Sequence, residues 1–105
     1  MKYSVVRTDT ADAHIRRIVL FVAEKFGNEI ALEKLDRLEN EIRLLEDNPL
    51  LGEIPKYPSL KRRGYRYLGV EKNLIFYKTD ETRHMVIIHA VFDQRQDYLS
   101  IIRGL

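Results

Sequence analysis

Cysteine is absent from the 105-residue sequence, and so is any long hydrophobic run. Without cysteine the chain has no disulfide framework, no thiolate metal site and no cysteine nucleophile. No segment approaches the ~20 apolar residues of a membrane span, and the N-terminus lacks the apolar core of a signal peptide. With 45% hydrophobic residues the chain is not disordered. We therefore expect one soluble, cytoplasmic domain over residues 1–105, with no membrane partner.

The net charge of +2 hides an uneven distribution along the chain. Residues 27–55 hold eight acidic against three basic side chains, whereas residues 56–105 hold ten basic against five acidic ones. Such an asymmetry is typical of proteins that bind nucleic acid or an acidic protein. It is equally typical of a domain with two solvated faces, so charge alone leaves both interpretations open.

Hydrophobic periodicity divides the N-terminal half into a strand and two helices. Residues 3–7 alternate as a short strand, and apolar stripes at helical spacing follow over residues 11–26 and 31–45. The connection between the two helices, at Gly27-Asn28, is only one or two residues long, which favours an antiparallel helix hairpin. Asn48-Pro49 ends the second helix, because a residue before proline is pushed out of the helical region.

The C-terminal half changes to the period of strands. Residues 49–60 contain all three prolines and are expected to form a loop, either functional or a simple crossover. Short polar turns then separate three strands, which predicts antiparallel hairpins. The third strand is apolar on both faces and is expected to be central. The predicted strands are Tyr65–Val70, Leu74–Tyr77 and Met85–Phe92, and Asp97–Ile102 is expected to form one or two helical turns.

The element order is therefore β-α-α-β-β-β, which is an α+β fold. We expect an antiparallel sheet packed on an N-terminal helix hairpin. The helix pair would cover one face of the sheet, and the other face would be partly open and lined by residues of a basic segment.

The motifs of several enzyme classes are missing. The sequence has no phosphate-binding glycine loop, no His-x-x-x-His zinc spacing and no nucleophile elbow. We accordingly expect no metal and no cofactor. His89 lies within the apolar third strand, where a hydrogen-bonded structural histidine is the favoured interpretation over a catalytic one.

A basic and aromatic segment begins the C-terminal half. Residues 61–67 hold four cations and two tyrosines. Lys and Arg neutralise phosphates and tyrosine rings stack on bases, so the segment is typical of a nucleic-acid contact. The alternative is that the tyrosines pack in the core while the cations protect a strand edge from pairing. The cations are Lys61, Arg62, Arg63 and Arg66.

A second polar segment, residues 94–98, follows the third predicted strand directly. Arg95 could stabilise charge on a phosphorane-like transition state. Tyr98 could stack on a base or transfer a proton. The alternative is that Arg95 pairs with an acidic side chain and Tyr98 anchors the C-terminal turn.

The whole chain resembles the RelE/ParE family of bacterial toxins from type II toxin–antitoxin modules. Besides the element order, the resemblance rests on three stretches in the same order and spacing. They are Leu45…Asn48-Pro49…Gly52 at the end of the second helix, Arg66 with Leu74–Tyr77 in neighbouring strands, and Val86–Tyr98 at the C-terminal end.

The resemblance implies the microbial ribonuclease-like fold and a toxin held inactive by a cognate antitoxin. RelE-like members cut messenger RNA in the ribosomal A site without a metal, whereas ParE-like members inhibit DNA gyrase and are not nucleases. The resemblance to RelE-like nucleases implies Arg66, Arg95 and Tyr98 as catalytic residues, although Leu68 stands at a second basic position.

The first interpretation is thus a ribosome-dependent endoribonuclease with ribosome and mRNA as partners. In it, four exposed cations contact RNA: Lys61, Arg62, Arg63 and Lys72. The alternatives are a protein-binding toxin that inhibits DNA gyrase and an inactive relative that only binds antitoxin.

Overall fold

The computed structural model describes residues 2–103, apart from the side chains at positions 98, 99 and 101. It confirms the predicted order of helices and strands and adds one short helix within the proline-rich stretch. The elements are β1 Ser4–Arg7, α1 Asp9–Phe26, α2 Asn28–Leu44, α3 Pro58–Arg62, β2 Arg66–Val70, β3 Asn73–Asp80, β4 Met85–Asp93 and α4 Tyr98–Arg103.

Local sequence signals explain the helix hairpin. The Thr8 hydroxyl caps α1 by accepting the backbone N–H of Ala11 at 3.1 Å. Gly27 separates the two helices with φ +93°, a backbone conformation that suits a residue without Cβ. Helices α1 and α2 are therefore antiparallel neighbours, as predicted. Within the described residues, no helix is both long enough and apolar enough to cross a bilayer.

The sheet has the strand order β1-β4-β3-β2, which places β4 and β3 at its centre. Strands β2, β3 and β4 pair antiparallel, but β1 pairs parallel with β4, so the sheet is mixed. The predicted α+β fold is confirmed, and the expected antiparallel pairing holds for β2, β3 and β4 but not for β1. The reason is that side-chain alternation is the same in both kinds of pairing, so the sequence pattern carries no strand direction.

One extra residue interrupts the pairing of β3 with β4. Phe76 pairs with Ala90 and Tyr77 pairs with Ile88, which leaves His89 without an opposite residue. This β-bulge locally breaks the alternation of β4, because a bulged residue re-aims its own side chain.

Two hydrophobic cores lie on the two faces of the sheet. The core under the helix hairpin contains Ala11, Ile15, Leu38, Ile42, Leu45, Leu68, Val70, Ile75, Tyr77, Val86, Ile88 and Val91. The second core, on the other face, contains Leu60, Tyr65, Phe76, Ala90, Phe92 and Ile102. Since α3 supplies Leu60 and α4 supplies Ile102, these short helices cover part of the face that was expected to be open.

An ion-pair cluster ties α2 to the turn between β2 and β3. The buried Lys34 ammonium lies 2.9 Å from Glu71 Oε1, and Arg37 Nε lies 3.1 Å from the same oxygen. The hydrogen bond from Lys34 is the main cause that lowers the pKa of Glu71, and the bond from Arg37 lowers it further, although desolvation acts in the opposite direction. Glu71 has φ +56°, so the turn holds this carboxylate in a backbone conformation that favours glycine.

Glu71→Gln is expected to lower the urea midpoint of unfolding at pH 7, because Lys34 would stay buried without a counter-charge. Glu81→Gln, at an exposed position in the next turn, serves as the control. Since folding lowers the pKa of Glu71, its contribution is present above its ordinary pKa of 4.5 and is lost as pH falls through the folded value. A difference between wild type and variant that stays constant from pH 7 to pH 3 would contradict this role.

Candidate functional site

Arg66, the first predicted catalytic residue, contacts the loop that follows α2. Its Nη1 donates to the carbonyl oxygen of Gly52 at 3.0 Å and to that of Leu50 at 3.5 Å. Leu68, two residues further along β2, packs in the core under the helices, so Arg66 lies on that same face of the sheet. The guanidinium therefore holds the loop against the sheet edge.

Arg95, the second predicted catalytic residue, is paired with Asp93. Its Nε and Nη2 donate to the two carboxylate oxygens at 3.0 Å each, and its backbone N–H donates to Oδ1 at 2.8 Å. The side-chain bond from Arg95 is the main cause that lowers the pKa of Asp93 to about 2. The alternative of an acidic partner for Arg95 thus describes its geometry, while a catalytic role stays a prediction.

Arg95→Ala is expected to raise the pKa of Asp93 from about 2 towards its ordinary 3.8. The rise should be incomplete, because the backbone N–H of residue 95 still donates to the carboxylate. Titration of the carboxyl carbon by NMR measures it, and Arg62→Ala is the control for loss of one charge. Because its folded pKa is lowered, Asp93 stabilises the fold above pH 3.8 and loses this effect as pH falls towards 2. An unchanged Asp93 titration in Arg95→Ala would refute the assignment.

Strand pairing places Arg66 and Arg95 beside different positions of β3. Arg66 pairs with Tyr77, whereas Asp93, just before Arg95, pairs with Asn73. Tyr77 and Asn73 are four residues apart in β3, which corresponds to about 13 Å along a strand. In the described structure the two guanidinium groups have different partners, since Arg66 binds the Gly52 carbonyl and Arg95 binds Asp93.

The other predicted site residues are likewise divided between the two ends of the sheet. Tyr98 begins α4, and its side chain lies outside the described part of the structure. Lys61 and Arg62 are exposed in the last turn of α3, and Arg63 follows as its C-terminal cap. Lys72 is exposed in the turn between β2 and β3, at the Arg95 end. Three of the four predicted RNA contacts are thus consecutive, and the fourth is remote from them.

The structure brings together a group of side chains that the sequence prediction did not combine. We call Arg63, Tyr65, Lys78 and His89 the basic-aromatic cluster. Lys78 Nζ lies 4.6 Å from the centre of the Tyr65 ring and Arg63 Cζ lies 5.3 Å from it. The His89 ring meets Tyr65 edge-on at 5.6 Å. The cluster lies on the sheet face opposite the helix hairpin.

Positive charge in this cluster is poorly compensated. Burial lowers the pKa of Lys78, and the charge of Arg63 lowers it further. Burial also lowers the pKa of His89, followed by the charges of Lys78 and Arg63. Across residues 2–103, no described carboxylate forms an ion pair with Arg63 or Lys78. Like charges gathered without a counter-charge are typical of a site that receives an anion.

Stacked aromatic rings support the cluster. Tyr65 is only 2% exposed and packs edge-on against Phe76, with ring centres 6.3 Å apart. Phe76 also stacks on Tyr67 at 5.5 Å and on Phe92 at 5.2 Å. The interpretation that the tyrosines pack in the core is therefore right for Tyr65, while Tyr67 is half-buried and donates its hydroxyl to Glu53.

Sequence reasoning missed the cluster for two reasons. Lys78 and Tyr65 share a face only because of the register of the β2–β3 hairpin, and the sequence pattern does not determine that register. His89 approaches them from a bulge, and a bulge shifts alternation without a sequence signal here. The available hints were a lysine inside a strand and a histidine inside an apolar one. Among the described residues, no three His, Asp or Glu side chains are grouped to hold a metal ion.

Comparison with protein families gives one match over most of the chain. The family is described as the ParE toxin of type II toxin–antitoxin systems, parDE, and its model matches residues 5–98. Comparison with curated protein sequences finds no match.

Comparison with solved structures shows a similar fold, at low sequence identity, in chains of toxin–antitoxin structures. The chromosomal ParDE system of P. aeruginosa has a similar chain, with a TM-score of 0.72, 19% identity, and coverage of 88% of this chain and 96% of that one. A chain of the RelBE2 toxin–antitoxin complex of Mycobacterium tuberculosis has a TM-score of 0.59 and 20% identity, and the match covers 89% of this chain and 99% of that one. A mutant of the E. coli toxin RelE in the free state has a TM-score of 0.63 and 12% identity, and the match covers the whole of both chains.

Proposed function

The chain belongs to the ParE family of toxins from type II toxin–antitoxin systems, and from this premise we propose that it inhibits DNA gyrase as a protein-binding toxin. As a toxin of such a system it has a cognate antitoxin as its partner. Inhibition of gyrase is the activity that the ParE branch of the resemblance implies. It requires a binding surface and no catalytic group.

The observation that carries this proposal is the dispersal of the predicted nuclease residues. Arg66, opposite Tyr77 in the middle of β3, binds backbone carbonyls, and Arg95 is paired with Asp93, opposite the first residue of β3. Metal-free RNA cleavage needs charge stabilisation and proton transfer at a single 2′-hydroxyl and its phosphate. Arg66 and Asp93, which binds Arg95, pair with positions of β3 that are about 13 Å apart along the strand. This offset disfavours a shared role of Arg66 and Arg95 at one such group.

The helix hairpin offers an apolar surface for a protein target. At its tip, large apolar side chains are more than half exposed on both helices: Leu20 at 57%, Phe21 at 55%, Phe26 at 65% and Leu32 at 59%. Large apolar side chains exposed on both helices make the hairpin the candidate surface for the protein contact.

A supercoiling assay with purified toxin and gyrase tests the proposal. Wild type should inhibit supercoiling and form a complex with gyrase. Arg95→Ala should inhibit equally, because its partner Asp93 lies outside the hairpin surface. Phe21→Ser together with Leu32→Ser should weaken inhibition at least tenfold while leaving thermal unfolding nearly unchanged, since both side chains are already exposed.

The competing function is ribosome-dependent, metal-free cleavage of mRNA, which the basic excess of residues 56–105 favours. Mapping message ends on ribosomes after induction distinguishes the two. Uncleaved messages together with inhibited gyrase support the proposal. Cleaved messages that become intact in Arg66→Ala and Arg95→Ala, with gyrase unaffected by excess toxin, would overturn it.

A further inference from the structure

The edge of β4 continues past the end of β1, and side chains replace the missing strand there. Strand β1 pairs with β4 only as far as Ile88, while β4 runs on to Asp93. The backbone N–H of Val91 donates to His14 Nδ1 at 3.2 Å. The backbone N–H of Asp93 donates to Gln96 Oε1 at 2.9 Å. Backbone groups of β4 therefore occupy an acceptor atom on each of these two side chains.

These backbone bonds leave His14 and Gln96 with donor groups. A neutral imidazole whose Nδ1 accepts a hydrogen bond carries its proton on Nε2. Burial lowers the pKa of His14, and the charge of Arg17 lowers it further, so the ring is neutral at pH 7. Nε2 has no hydrogen-bond partner among the described residues, and no such partnerless nitrogen is buried there, so Nε2 is open to solvent. Gln96 likewise keeps both N–H groups of its amide.

A pocket of about 170 Å³ brings these donors together with a cation. It is lined by His14, Arg17, Ile18, Val91, Phe92 and Gln96. Arg17 is exposed and forms no ion pair with any carboxylate of residues 2–103. No aspartate or glutamate that the structure describes lines the pocket. One uncompensated positive charge and two neutral donors thus border the same small space, beside an apolar wall.

We propose that the pocket formed by His14, Arg17 and Gln96 binds a carboxylate group on a short aliphatic stem. A carboxylate is an acceptor only, and its two oxygens match the fork of a guanidinium while still accepting other N–H groups. Its single negative charge balances that of Arg17, whereas a phosphate monoester brings up to two charges. The apolar wall suits the stem. A glutamate side chain of a partner protein and a free short-chain acid share this chemistry.

The carboxylate pocket goes beyond the proposed function. It lies between α1 and the end of β4, and it shares no residue with the exposed hairpin surface, the predicted nuclease residues or the basic-aromatic cluster. A ligand in this pocket would therefore add a contact that the apolar hairpin surface does not provide.

Histidine NMR of the wild-type chain tests the pocket with three carbon-based probes and inorganic phosphate. The probes are sodium butyrate, the end-capped tripeptide Ala-Glu-Ala and its uncharged counterpart Ala-Gln-Ala. Butyrate or Ala-Glu-Ala should shift the His14 Nε2 signal in a saturable way and raise the pKa of His14, because an anion favours the protonated ring. Ala-Gln-Ala should leave both unchanged. Tighter binding of Ala-Glu-Ala identifies a protein side chain as the source of the carboxylate, and tighter binding of butyrate identifies a free acid.

Substitutions at exposed positions of the pocket give a second readout. Gln96→Glu keeps an acceptor for the Asp93 N–H but puts a carboxylate where the donors were, so it should abolish binding and raise the pKa of His14 without any ligand. Arg17→Gln should weaken binding about fivefold, the usual effect of losing an exposed ion pair. Arg16→Gln is the matched control, because it removes the same charge from a neighbouring residue of α1 that does not line the pocket.

Three results would overturn the proposal. They are a His14 signal that responds to neither carboxylate, equal affinity of wild type and Arg17→Gln, and inorganic phosphate that binds more tightly than both carboxylates. Gyrase is absent from all of these measurements, so this inference and the proposed function fail separately.

Discussion

Phe76→Ala is expected to lower the free energy of unfolding by about 3–5 kcal/mol, the usual cost of truncating a buried phenylalanine. Phe76 is fully buried in the central strand β3, where its ring contacts Tyr65, Tyr67 and Phe92. A cavity at this position would loosen three aromatic neighbours together. Domains of this size have about 5–15 kcal/mol of total stability, so a large fraction would be lost.

Urea unfolding followed by circular dichroism measures this effect. Phe21→Ala is the matched control, because it removes the same ring from a position that is 55% exposed. The control should change the free energy of unfolding by less than about 1 kcal/mol, as surface substitutions usually do. Equal urea midpoints for the two variants would show that the second core contributes little to stability.

Gly52→Ala is expected to cost about 1–3 kcal/mol, because the added methyl group has no space. A Cβ at position 52 would lie 2.7 Å from the Tyr77 hydroxyl oxygen and 2.8 Å from the carbonyl oxygen of Tyr67. The backbone N–H of Gly52 donates to that buried hydroxyl at 2.8 Å, so Tyr77 anchors the loop after α2. Gly69→Ala is the control, since a Cβ there meets nothing within 4 Å.

A double-mutant cycle with Tyr77→Phe separates the clash from the hydrogen bond. Tyr77→Phe alone should cost about 1–3 kcal/mol, because the buried N–H of Gly52 loses its acceptor. The double variant should cost less than the sum of the two single ones, since the hydroxyl that opposes the new methyl group is gone. Additive costs would show that the clash with the Tyr67 carbonyl dominates. A Gly52→Ala protein as stable as wild type would mean that the loop can move away from Tyr77 without a cost in the free energy of unfolding.

Local patterns in the sequence were enough to predict the major helices and strands of the fold. The apolar stripes of α1 and α2 and the alternation in the C-terminal strands predict each major element, because side-chain period follows from the backbone geometry of one element alone. The short connection at Gly27 limits α1 and α2 to a hairpin. The proline-rich stretch predicted a loop over residues 49–60, but its last three residues belong to α3, Pro58–Arg62, a helix too short for periodicity to reveal.

Only the tertiary structure decided how the site residues are arranged. The parallel pairing of β1, the bulge at His89 and the register that sets Tyr65 beside Lys78 all depend on contacts between segments far apart in the chain. The resemblance to RelE-like nucleases grouped Arg66 with Arg95. Strand pairing places Arg66 beside Tyr77 in the middle of β3, whereas Asp93, the partner of Arg95, lies beside Asn73 at its start. Residue type and side-chain period depend on one segment of the chain alone, whereas strand register exists only in the assembled sheet. In this protein the register determines which charged side chains lie side by side.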